Sequence, residues 1–138
     1  MTEQRSVSAV RALARASRHL EKATGDLGLA HYRILSAVAG GDARASRIAH
    51  RLALGKPAVS TAVETLCQRG LLEREDHDGD QRVVVLRLTR AGAARLRAVE
   101  VDMTRWLDAL RTRTPDADGV LEALVHLGDA IEQQAAAR

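Results

Sequence analysis

The period of the sequence changes once, and that change limits the fold. Leu71 to Glu75 and Arg82 to Leu88 have strand composition, clearest at Val83-Val84-Val85. Between them lies EDHDGDQ, whose Asp and Gly are turn residues, so the two runs make a hairpin with a polar tip. The rest of the chain carries helical spacing. The expected fold is mainly α with a small β-hairpin.

Four helices are expected before the hairpin. Val7 to Thr24 is the first, with Val7, Val10, Leu13, Ser17 and Leu20 on one stripe and Arg11, Arg15, Arg18 and Lys22 facing away. Gly25 and Gly28 end it. His31 to Val38 is mostly apolar and closes at Gly40-Gly41. Ser46 to Leu52 turns Ile48, Ala49 and Leu52 inward, and Gly55 breaks the chain. Lys56 to Arg69 follows: Pro57 suits the first turn, Val59, Val63 and Leu66 form the inner face, and Gly70 is the stop. Two helices are expected after the hairpin. Thr89 caps a long one, about Arg90 to Arg113, whose Leu96, Val99, Met103, Trp106 and Leu110 form a coiled-coil-like seam. Thr114-Pro115 reads as the cap and first residue of a sixth helix ending near Gln134, with Val120, Leu124, Leu127 and Ile131 on one face.

Composition excludes several classes. The 138 residues make one domain of ordinary size. Phe is absent and Tyr32 and Trp106 stand alone, so the core must be Leu, Val, Ile and Ala. The single Cys67 excludes an intrachain disulfide framework and a thiolate zinc cluster. No apolar run approaches the ~20 residues of a membrane span. MTEQRSVSAV lacks the apolar core of a signal peptide, so a cytoplasmic protein is expected. Charge is segregated: Arg44 to Arg95 holds 10 basic and 6 acidic residues, the remainder 11 and 12. A local basic field is the footprint of a polyanion partner.

Two short helices, a tight break, a further helix and a hairpin make a winged helix-turn-helix. In such units the second helix of the turn enters the major groove and the hairpin touches the backbone or minor groove. The helix starting at Lys56 fits that role. Lys56, Ser60, Thr61 and Glu64 face outward, and Pro57 or Ala58 suits a thymine methyl. Arg44, Arg47 and Arg51 are candidate phosphate clamps.

At these residues the chain resembles the MarR family of bacterial transcriptional regulators. The resemblance runs from LGLAHYRILSAVAGG to VVVLRLTRAG. Its sharpest pieces are Asp80-Gln81-Arg82, similar to the wing D-x-R motif, the RGLLERE run from Arg69 to Glu75, and L-T-x-x-G at Leu88-Thr89-Arg90-Ala91-Gly92. The family often has Ser, Thr or Arg where this chain has Pro57, Ala58 and Thr61, so its groove-facing surface is poorer in charge. The resemblance implies a winged helix-turn-helix lobe at 30–89 and a helical dimerisation region from 1–29 and 90–138. It implies an intertwined homodimer of six-helix chains, with Val7, Val10, Leu107, Leu110, Leu124 and Ile131 at the interface. It implies a regulator, most simply a repressor, that grips a pseudo-palindromic double-stranded DNA operator. Arg82 would enter the minor groove while Asp80 holds the wing in shape. A small-molecule effector would release the DNA, bound in a crevice lined by His19, His31, Tyr32 and Trp106.

Other readings are weaker. Cys67 sits late in the expected recognition helix, whereas peroxide sensors of this family carry theirs near the N-terminus, so it reads as a small structural side chain. No two histidines stand three or four residues apart, and no metal or other cofactor is expected. No nucleophile elbow, phosphate-cradling glycine loop or metal-ligand helix motif is present, so an enzyme is not expected. Two rivals stay open: a winged-helix protein-interaction module without DNA binding, and a metal- or redox-triggered regulator of the same fold.

Overall fold

The computed structural model describes residues 2–75 and 84–138. Among them lie six helices and one two-stranded sheet: α1 (Glu3–Ala23), α2 (Leu29–Ala39), α3 (Ala45–Arg51), α4 (Lys56–Gln68), β1 (Leu72–Glu75), β2 (Val85–Leu88), α5 (Arg90–Arg111) and α6 (Ala117–Ala136). The strands pair antiparallel, with Leu72 opposite Leu88 and Glu75 opposite Val85. Arg44 bridges to Val85 on the other edge of β2, supported by a 2.6 Å bond from the Leu86 amide to the Ala43 carbonyl. The mainly helical architecture with its hairpin matches the expectation. No described helix is long and apolar enough to cross a membrane.

The core is aliphatic, as the lack of Phe requires. Ile34 and Leu35 of α2, Ile48 of α3, Val59, Val63 and Leu66 of α4, and Leu72 of β1 are almost fully enclosed. The first two-thirds of α5 covers this cluster with Leu96, Val99 and Met103. The spacing of apolar residues named the inner faces of α3, α4 and α5, but not Ile34 and Leu35 of α2 or Leu72 of β1.

The ends of α3 and α4 are closed in the same way. At α4 the Gly70 amide bonds Cys67 O and the Leu71 amide bonds Leu66 O, with Gly70 at φ 73. This is a Schellman stop, whose left-handed residue is usually glycine. The α3 stop has the same bonds, Ala53 to His50 O and Leu54 to Ala49 O, but its left-handed residue is Ala53 at φ 54.

The start of α5 explains L-T-x-x-G physically. Thr89 Oγ1 accepts from the Gly92 amide at 2.9 Å and donates to Gly70 O at 2.6 Å. A Cβ on Gly92 would lie 2.9 Å from the Leu71 carbonyl carbon and closer still to its oxygen, so only glycine lets α5 lie against the chain entering β1.

Two expectations need correction. The sixth helix is capped by Asp116, not Thr114. Asp116 Oδ1 accepts from the Gly119 amide, while Thr114 Oγ1 donates to Leu110 O at 2.7 Å and so finishes α5. Pro115 therefore lies in the turn and does not open α6. Among the described residues the strands are also shorter than expected, since Leu71 and Val84 lie outside the ladder.

Candidate nucleic-acid interface

The surface in question is built on α4. Val59, Val63 and Leu66 anchor one side of this helix, which leaves Lys56, Pro57, Ser60 and Thr61 exposed on the other. Gly55 supplies no side-chain cap, so the leading amides of α4 have no side-chain acceptor. Such a helix start favours phosphate.

Period-two alternation in β1 sorts the neighbouring charges. Leu72 points into the core, so Arg74 lies on the same face and Glu73 and Glu75 lie on the opposite one. The two glutamates hold Arg87, at 2.7 Å and 3.2 Å. Arg74 is left facing α3 and α4. There it joins Arg44, Ser46, Lys56 and Ser60 around a half-open cleft of about 280 Å³, floored by Ala49, Val59 and Val63. Arg74 and Ser46 were missed by the sequence reading. The alternation Leu72-Glu73-Arg74 was the signal that could have found Arg74.

The three expected clamp arginines are placed differently. Arg44 lines the cleft and Arg47 is exposed on α3. Arg51 is held between Asp42, at 3.4 Å, and Glu132 of α6. His50 Nε2 lies 2.9 Å from Ala135 O on the same pair of helices. Asp80 and Arg82 lie outside the described residues.

The proposed crevice residues fall into separate groups. The His19 and Trp106 rings stack at 5.1 Å and 14°, joining α1 to α5. Burial raises the Tyr32 phenol above its ordinary range, and Glu100 adds to this. At His31, burial first and the Arg69 guanidinium second push the pKa down. Its Nδ1 is buried with no hydrogen-bond partner among the described residues. Of the expected interface residues, Val7, Val10, Leu110, Leu124 and Ile131 are exposed and Leu107 is half-buried.

Comparison with known proteins places this geometry. Residues 26–83 match the sequence profile of the MarR family. No curated protein sequence matches significantly. Wild-type MarR from E. coli shares the fold with a TM-score of 0.74 at 20% identity, over 91% of this chain and 95% of its own. The repressor CouR, solved on a 23-mer DNA duplex, gives 0.70 at 21% identity over 88% and 89%. NadR, solved with 4-hydroxyphenylacetate, gives 0.73 at 18% identity over 94% and 90%. Residues 26–83 therefore match the MarR-family profile, and the described residues share the fold of solved MarR-family regulators.

Proposed function

We propose that the protein is a DNA-binding transcriptional regulator of the MarR type, acting in the cytoplasm as a homodimer on a pseudo-palindromic operator, as a repressor. One observation carries the reading. The solvent face of α4 presents Lys56, Ser60, Thr61 and the single acid Glu64; Arg44, Lys56 and Arg74 have no acidic partner among the described residues; and the acids of the adjoining strand are tied to Arg87 on the far side. Lys56, Pro57, Ser60 and Thr61 read the major groove, Arg44 and Arg47 grip phosphate, and Arg82 enters the minor groove with Asp80 as its support. CouR on its duplex supports the partner class.

The homodimer reading rests on the arms. Val7, Val10, Leu124, Leu127 and Ile131 leave an apolar face on α1 and α6 that a second copy would cover. NadR with its aromatic acid supports a small-molecule effector. The stacked His19–Trp106 pair lies where α1 meets α5, so a ligand there would shift the arms and with them the spacing of the two α4 helices. Half-sites one turn apart, ~34 Å, tolerate little such change.

The test is a mobility shift with the DNA upstream of the protein's own gene at two salt concentrations. Sequence-selective, salt-sensitive binding is expected, because each phosphate contact releases counterions. Salt-insensitive binding, or none at low salt, would favour a protein-interaction module. Arg82→Ala should weaken operator binding by about 1–3 kcal/mol while leaving the dimer intact.

A further inference from the structure

Among the described residues, the charged side chains lining the cleft between α3, α4 and β1 are all cationic. Among the described residues, Arg44, Lys56 and Arg74 make no ion pair or side-chain hydrogen bond. The acids closest to Arg74 along the chain, Glu73 and Glu75, face away and hold Arg87. Ser46 and Ser60 add two hydroxyl donors to the wall. All three cationic side chains are exposed to solvent. Like charges gathered around one hollow repel each other, and an oxyanion placed among them relieves that repulsion. The volume, about 280 Å³, admits a phosphate group with water beside it and lies just under the ~300–1,000 Å³ of small-molecule sites.

We propose that this cleft seats one phosphate group of a DNA backbone, at the point where the strand passes from α4 to the hairpin, and that Arg74 is its principal cation. The proposal rests on the DNA-binding reading above. Such a seat reads charge and not base sequence, so it adds the same affinity to any duplex and fixes the register of α4 in the groove.

The test uses the full chain and Arg74→Gln. Each is bound to the upstream DNA and to an unrelated duplex over a salt series, and each is titrated with inorganic phosphate while the Ser46 and Ser60 amide resonances are followed. Arg74→Gln should weaken both duplexes by the same factor and flatten the plot of log affinity against log salt by about 1. Phosphate should move both amides in the wild type and neither in the variant. Arg87→Gln, on the opposite face of the hairpin, should keep the wild-type salt slope, and Arg74→Lys should restore it. An unchanged slope in Arg74→Gln, or a loss confined to one duplex, overturns the proposal. Phosphate shifts in a wild-type protein that binds neither duplex would assign the cleft to a free oxyanion and overturn the DNA source. Absence of both effects overturns the seat itself. A melting curve for each variant separates these results from misfolding.

Discussion

The central lobe and the helical arms are built on opposite terms. The lobe, α2 through β2 with the first two-thirds of α5, encloses Ile34, Ile48, Leu66 and Leu72 almost completely. In α1 and α6 no residue is buried, although both helices are amphipathic and rich in Leu, Val and Ala. Val10 and Ile131 remain 64% and 55% exposed. Apolar burial supplies roughly 25 cal/mol per Å². The lobe collects that stabilisation from its own chain, whereas the arms collect it only when something covers them. Stability of the lobe should therefore be independent of concentration, and order in the arms should not be.

Among the largest tests of this contrast is Gly92→Ala. A methyl pressed onto the Leu71 carbonyl cannot be relieved by a side-chain rotation, because the obstacle is backbone. It should cost about 3 kcal/mol at every protein concentration, by pushing α5 off β1. Chemical denaturation read by circular dichroism checks it. Next come two truncations compared directly. Leu66→Ala should cost about 2–5 kcal/mol whatever the concentration. Ile131→Ala should leave the lobe's transition alone and weaken self-association, measured by sedimentation over a dilution series. If Ile131→Ala destabilises a dilute monomer as Leu66→Ala does, the division between lobe and arms is wrong.

The lobe was legible because its signals are local. Pro57 at the start of α4, the Val59–Val63–Leu66 spacing and Gly70 at the stop each act within a turn or two. Thr114 misled because two capping residues flank Pro115, and only side-chain reach decides that Asp116 bonds Gly119 while Thr114 serves Leu110. Arg51 could not be read at all. Its partner Glu132 lies 81 residues away, so nothing local distinguishes it from Arg47. Within the candidate interface, the outer face of α4 followed from helical period, while Arg74 needed the strand alternation to be carried one residue past the core. Asp80 and Arg82 rest on the motif and lie outside the described residues.

Smaller effects sharpen the picture. His31 has a lowered pKa in the folded chain, so the unfolded chain binds its proton first as pH falls. Stability should be full above the ordinary histidine value of about 6.5 and decline as pH drops below it toward the lowered value. His31→Gln should flatten that decline in a series of melts. A double-mutant cycle on Arg51→Gln and Glu132→Gln should give a coupling of about 0.2–1 kcal/mol, because both side chains are partly exposed. Smallest of all, Ala53→Gly should stabilise the lobe by about 0.5 kcal/mol. It removes roughly 1 kcal/mol of left-handed strain and returns part of it as unfolded-chain entropy.

The link from Arg51 to Glu132 also changes what kind of object α6 is. Without it and the His50–Ala135 contact, α6 would be tied only near the turn after α5, where Arg111 pairs with Asp118. With its last turns held to α3 by Arg51 and His50, the lobe, α5 and α6 form the three sides of a truss. A displacement at the 112–116 corner therefore works against the contacts at α3, one short turn ahead of α4, with the modest resistance that two partly exposed partners supply.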